Sequence, residues 1–143
     1  MNEKYMKMAI KEAKKALLKN EMPVGAVIVY ENKIISRGHN MRETYKDSTL
    51  HAEIVAIRKA CKKIGDWRLN KCLMYVTMEP CLMCMGALIE SRIDKIVCGI
   101  RNTKFRKIND EIIKKYNINI EYGIFDNEIK KELQKFFKYI RNK

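Results

Sequence analysis

The order of helical and extended patterns along the chain predicts an α/β domain. It is a three-layer α/β/α sandwich on a five-stranded mixed, mostly parallel sheet, with residues 1–143 as a single domain. Three observations predict it. Helix-length segments separate the later strands, as parallel neighbours require. Two early extended runs lie only Glu31 and Asn32 apart, so they pair as an antiparallel hairpin. The 143 residues are 47% hydrophobic, enough for one ordinary core, and no repeat, low-complexity tract or linker interrupts them.

Each element has its own signal. Met6, Ala9, Ile10, Ala13, Ala16 and Leu17 recur at helical spacing and predict an amphipathic helix over 3–19, stopped by Pro23. VGAVIVY (24–30) and KIISRGH (33–39) form the hairpin, and 40–50 is a polar loop. Residues 51–63 are a second helix and CLMYVT (72–77) a buried strand. Residues 81–90 start just after a proline and read as a third helix, apolar almost all round. IDKIVCGI (93–100) is a strand, 108–115 a helix and INIEYGI (118–124) a last strand. Asp126 is placed to cap a long terminal helix carrying Ile129, Leu133, Phe136, Phe137 and Ile140.

Composition excludes several classes. No apolar run reaches the ~18 residues of a membrane-spanning helix, and the N-terminus mixes charge with apolar positions, unlike a signal peptide. A cytoplasmic protein with no membrane partner is expected. Five cysteines, an odd number in a chain of this size, argue against a secreted disulfide framework. The formal charge of +13 attracts polyanions, and the excess is densest in 101–143. Nucleic acid is one reading of that charge; a general lysine bias is the other.

TMEPCLMC (77–84) places Cys81 and Cys84 three apart behind a proline, as a disulfide, a redox pair or half of a metal site would be. On a helix, positions i and i+3 share a face, so both sulfurs can aim at one point beyond the helix start, where the positive helix end favours thiolate. His51, at the start of another helix, supplies an imidazole. One imidazole and two thiolates suit zinc and leave a fourth position for water, so the site would be catalytic. Glu53, two residues from His51, is the carboxylate for proton transfer. A structural zinc site would need a fourth protein ligand from His39, Cys61, Cys72 or Cys98. Those three cysteines fit better as small buried fillers, and His39 as a structural residue.

His51-Ala52-Glu53 followed by Pro80-Cys81-Leu82-Met83-Cys84 resembles the H-x-E…P-C-x-x-C signature of the zinc-dependent cytidine and nucleobase deaminases. The resemblance implies their cytidine-deaminase-like fold, with one Zn²⁺ per subunit on His51, Cys81 and Cys84 and with Glu53 as proton shuttle. Glu21-Met22-Pro23-Val24-Gly25-Ala26-Val27, Arg68-Leu69, residues 73–93 and Phe136-Phe137-Lys138-Tyr139-Ile140-Arg141 are similar to the bacterial tRNA adenosine deaminases. These make inosine at the anticodon wobble position. That likeness implies that Asn40 hydrogen-bonds the purine, Pro23 and Val24 form an apolar wall, and the Ala52 N–H reads a base edge. Lys104, Arg106, Lys107, Lys138 and Arg141 are cations for a tRNA anticodon loop, with Phe136 and Phe137 supporting that surface; at least one of the two phenylalanines belongs to the core.

After Gly99 the RNA deaminases usually carry an Asp-Lys pair and a glycine-rich run, whereas this chain has RNTKFRKIND (101–110). That departure keeps an alternative open, a deaminase of free guanine, cytosine or a nucleoside such as cytidine. A catalytically silent RNA-binding module is a third reading, against which Glu53 argues. Apolar positions in excess of one buried face on the 81–90 helix, and the habit of the family, point to a homodimer; full burial within one chain is the competing account.

Overall fold

A computed structural model describes residues 2–141. In chain order the elements are α1 (Asn2–Leu18), β1 (Gly25–Tyr30), β2 (Lys33–His39), α2 (Arg42–Tyr45), α3 (Ala52–Ile64) and β3 (Leu73–Met78). They continue with α4 (Leu82–Glu90), β4 (Lys95–Ile100), α5 (Arg106–Tyr116), β5 (Ile120–Glu121) and α6 (Asp126–Arg141). The five strands form one sheet in the order β2-β1-β3-β4-β5.

β1 is antiparallel to both of its neighbours, β2 and β3, while β3–β4 and β4–β5 are parallel. Four of the five strands therefore run in one direction and β1 alone opposes them, which reconciles a mostly parallel sheet with two antiparallel seams. The alternation of side chains across the pleat divides the core in two. Ala26, Ile28, Met74, Val76, Ile96 and Cys98 pack with Ala52, Ala56 and Ala60 of α3 and with Met85 and Leu88 of α4. Val27, Val29, Tyr75 and Val97 face the other way, against Met6, Ala9 and Ile10 of α1 and Ile129 of α6. These are the three expected layers. Among the described residues, no helix is long and apolar enough to cross a membrane.

Three elements depart from the sequence reading. The polar loop contains α2, because the buried Glu21 carboxylate accepts the N–H of Glu43 (3.0 Å) and of Thr44 (2.6 Å), satisfying donors at the helix start from a distance. The last strand shrinks to two residues, since Gly123 takes φ 106° and gives its N–H to Cys98 and Gly99 carbonyls, turning the chain away. Asp126 lies within the first turn of α6 instead of preceding it as a cap, and its carboxylate is 3.8 Å from Lys130 Nζ.

Two helix starts are brought together by the way the strands end. α3 begins beside the end of β2 because Gly38 lets it approach; a Cβ there would lie 2.5 Å from the Ala52 carbonyl oxygen and 2.8 Å from Ala56 N. α4 starts just after β3 ends, across Glu79, Pro80 and Cys81. Two helix N-termini thus converge at the carboxyl ends of the strands, the usual location of a site in an α/β sheet.

Candidate active site

His51 and Cys81 occupy the N-cap positions of α3 and α4, both with extended backbone, and neither side chain caps its own helix. Each is free to point across the gap, and Cys84 joins them from the first turn of α4. His51 Nδ1 lies 3.5 Å from Cys81 Sγ and 3.6 Å from Cys84 Sγ. A tetrahedral Zn²⁺, with bonds of ~2.0–2.1 Å to nitrogen and ~2.3 Å to sulfur, holds such atoms about 3.6 Å apart. These three residues are the group among the described residues whose ligand atoms converge in this way. All five cysteines are free thiols, so the sulfurs of Cys81 and Cys84 are not joined. The donor set fits zinc.

Charge in the cluster is poised for a cation. A hydrogen bond from the Cys84 thiol, helped by His51 and opposed by burial, brings Cys81 down to about 4. The same bond, with burial and the nearby Glu53 charge, pushes Cys84 up instead. His51 is raised, first by its hydrogen bond to Cys81. One thiolate is therefore ready and the second proton leaves when metal binds.

Glu53 lies in the first turn of α3 and is only 3% exposed. Burial pushes its carboxyl up to about 7, against its hydrogen bonds and the charge of His51. A divalent cation on the three ligands would draw it back toward the ionised form. Its Oε1 is buried without a hydrogen-bond partner, an acceptor aimed at something other than protein.

A cleft of about 1100 Å³ opens above these residues, lined by His51, Glu53 and Cys81 at its floor. Asn40 lines it, buried, with Oδ1 accepting the Arg42 N–H at 3.2 Å. Ala52 lines it too, and as the first residue of α3 its N–H has no intrahelical acceptor. Val24 faces the cleft, but the expected wall differs in one member. Val24 N–H bonds to the Met22 carbonyl at 2.8 Å in a tight turn, so residues 22 and 24 present to the cleft while Pro23 is buried away from it.

On the outer wall, α6 contributes Leu133, Phe136, Phe137 and Ile140, one helical stripe. Phe136 is core-like at 8% exposure and Phe137 stands open at 47%, dividing the pair as the pattern predicted. Of the expected cations, Lys104 lines the cleft. Arg106 and Lys107, in the first turn of α5, and Lys138 and Arg141, on α6, are exposed outside it. Arg42 and Lys46, around α2, are cleft cations that sequence reasoning missed, since nothing in a polar loop tells which side faces the site.

Also missed was the support beneath the cleft. Glu79, 1% exposed, receives Arg101 Nε and Nη2, each at 3.0 Å, together with the Asn102 N–H (3.0 Å), Asn109 Nδ2 (3.2 Å) and Tyr122 O–H (3.4 Å). Asn109 Nδ2 also donates to the Pro80 carbonyl (2.9 Å), and Arg101 stacks 4.4 Å over the Tyr122 ring. The available signal was an acidic residue at the end of an otherwise apolar strand. His39 proves structural, its Nδ1 3.0 Å from the buried Glu12 carboxylate, and Cys72 and Cys98 are buried fillers.

Comparison with known proteins agrees with this geometry. Residues 1–100 match the family "Cytidine and deoxycytidylate deaminase zinc-binding region". The chain is 43% identical to the tRNA-specific adenosine deaminase of Bacillus subtilis (strain 168), over 99% of this chain and 92% of that one. It is 42% identical to the protein of the same name from Aquifex aeolicus (strain VF5), over 98% and 96%. A solved structure from "Biochemical and Structural Studies of A-to-I Editing by tRNA:A34 Deaminases at the Wobble Position of Transfer RNA" superposes with a TM-score of 0.84 at 32% identity, over 91% and 99%. The chain belongs to the cytidine and deoxycytidylate deaminase zinc-binding family, within its tRNA-specific adenosine deaminase branch.

Proposed function

We propose that this chain hydrolytically deaminates adenosine to inosine at the wobble position of a tRNA anticodon. One observation carries the reading: the His51–Cys81–Cys84 corner and the partnerless Glu53 Oε1 form the floor of an open cleft with a cationic, aromatic mouth. A free-base site needs only an enclosed pocket, whereas this cleft is rimmed by Arg42, Lys46, Lys104, Phe105 and Phe137, groups suited to a polynucleotide.

His51 Nδ1 and the two cysteine sulfurs would hold Zn²⁺, a Lewis acid that makes water a nucleophile near neutral pH. Glu53 takes a proton from the attacking water and gives it to adenine N1 as the oxygen bonds to C6. It then carries the remaining hydroxyl proton to the exocyclic nitrogen, the C6–N bond breaks, ammonia leaves and C6 becomes a carbonyl. Asn40 and the Ala52 N–H orient the ring by its polar edges, and Val24 supports its face. A stacked base exposes no face to such a site, so the target nucleotide is splayed out of the anticodon loop to enter.

The whole chain, residues 1–143, acts as one domain in the cytoplasm, and a second copy covers the outer face of α4, where Leu82 and Met83 are exposed. Light scattering at micromolar concentration checks the dimer, expected to revert to one chain in Met83→Glu. For the activity, zinc-loaded protein is incubated with a transcript bearing adenine at the wobble position and the product sequenced for inosine. Conversion supports the reading. Release of ammonia from free bases with an untouched transcript overturns it.

A further inference from the structure

The segment after β4 supplies an aromatic ring at the mouth of the cleft. Phe105 lines the cleft, is half-exposed, and packs against neither core cluster. Its position is fixed from below. Glu79 N–H bonds to the Ile100 carbonyl at 2.8 Å, and the Glu79 carboxylate holds both Arg101 and the Asn102 N–H. Asn102 Oδ1 then accepts the Lys104 N–H at 3.2 Å, and the Phe105 N–H returns to the Asn102 carbonyl at 3.3 Å. Residues 102–105 are thus a tied turn springing from a buried ion pair whose acid lies just before Pro80 and Cys81. Lys104 Nζ, exposed, lies 5.3 Å from the Phe105 ring centroid, so a cation and a π face stand side by side.

A half-exposed ring that supports no core, preset by these hydrogen bonds and neighboured by a long-chain cation, has the chemistry of a base-stacking platform. We propose that Phe105 stacks on a nucleobase flanking the adenine that enters the active site, with Lys104 contacting the adjoining phosphate, so that this turn sets which flanking base is favoured. A ring face accepts any base but prefers purines, which offer more stacking area. This inference rests on the proposed RNA substrate, because only a polynucleotide brings a second base to the same cleft.

The test reads KM and kcat on an anticodon stem-loop for the wild type, Phe105→Ala and Phe105→Tyr, with zinc content measured in each. Phe105→Ala is expected to raise KM about tenfold with kcat and zinc unchanged, and Phe105→Tyr to restore KM. A merely structural ring would lower kcat, zinc content or folded fraction instead, and that result, or an unchanged KM, overturns the proposal. A second arm does not need turnover. Phe105→Trp in a Trp67→Phe background is titrated with a short single-stranded RNA. Quenching of the new tryptophan that weakens when the flanking purine is changed to a pyrimidine supports stacking even if no inosine forms, in which case the substrate reading alone fails. Absence of quenching under saturating RNA sinks the platform.

Discussion

The floor of the cleft and its rim are built by opposite means. At the floor, two short spacings, His51-Ala52-Glu53 and Cys81 to Cys84, place four side chains at two helix starts, and once the helices meet the chemistry is fixed. At the rim, residues 101–105 hold their shape through Glu79, Arg101, Asn109 and Tyr122, which come from separate elements far apart in the chain. The zinc corner sits where local geometry suffices; the proposed recognition surface sits where tertiary contacts must agree. Variants at the two places should therefore fail differently.

The largest effect belongs to the floor. His51→Ala removes one of three ligands, and purified protein is expected to lose its stoichiometric zinc by elemental analysis along with all measurable turnover. Retention of one zinc per chain with activity intact would overthrow the ligand assignment. Glu53→Gln separates metal from catalysis. It is expected to keep zinc while turnover falls ~10²–10⁴-fold, since the amide cannot carry a proton. Equal losses of metal and rate would place Glu53 among the ligands instead.

The same contrast decides which features are legible in the sequence by itself. The zinc corner is legible because i, i+3 spacing at a helix start is a geometric statement, and the layers are legible because alternation in 26–29, 74–76 and 96–98 assigns each residue a face. Glu79 is invisible as a hub, its partners being 22 to 43 residues away in sequence. The short helix α2 is hidden for the same reason, its start being capped by Glu21 from beyond the hairpin. Pro23 shows what likeness alone does not resolve: in the turn between Met22 and Val24 the two flanking residues line the cleft while Pro23 is buried outside its lining.

At the rim, Glu79→Ala tests whether tertiary agreement is what holds residues 101–105 in place. The substitution strips five donors of their acceptor and leaves Arg101 with Asp110, 2.6 Å away, and the face of the Tyr122 ring. Removing one member of a buried ion pair costs about 3–5 kcal/mol, and the lower half of that range is expected because Arg101 is partly exposed. Urea unfolding of the zinc-loaded protein measures it. A loss within the ~0.5 kcal/mol typical of surface substitutions would mean that the rim is held by something else.

A smaller and pH-dependent effect is expected on the far side of Asn40, where Glu12 of α1 ties down the end of β2. Glu12 is almost fully buried, with Oε1 3.0 Å from His39 Nδ1 and Oε2 2.7 Å from Lys15 Nζ. The hydrogen bond from His39, with Lys15 and against burial, lowers its carboxyl from 4.5 to about 2. A carboxyl depressed on folding contributes stability that is complete above its unfolded value. That contribution disappears as pH falls from about 4.5 to about 2, because the unfolded chain takes up the proton first. The shift corresponds to a contribution on the order of 2–3 kcal/mol at neutral pH, the exposed Lys15 adding little. Glu12→Gln, which keeps the shape and removes the charge, should therefore be less stable than the wild type by that amount at about pH 7, with the two converging as pH falls to about 2. Comparing denaturant midpoints of the two proteins across this range cancels whatever acid does to the zinc corner in both. A difference that stays constant from about pH 7 to about pH 2 would show that packing, not the charge of the Glu12 carboxylate, anchors the strand leading to Asn40.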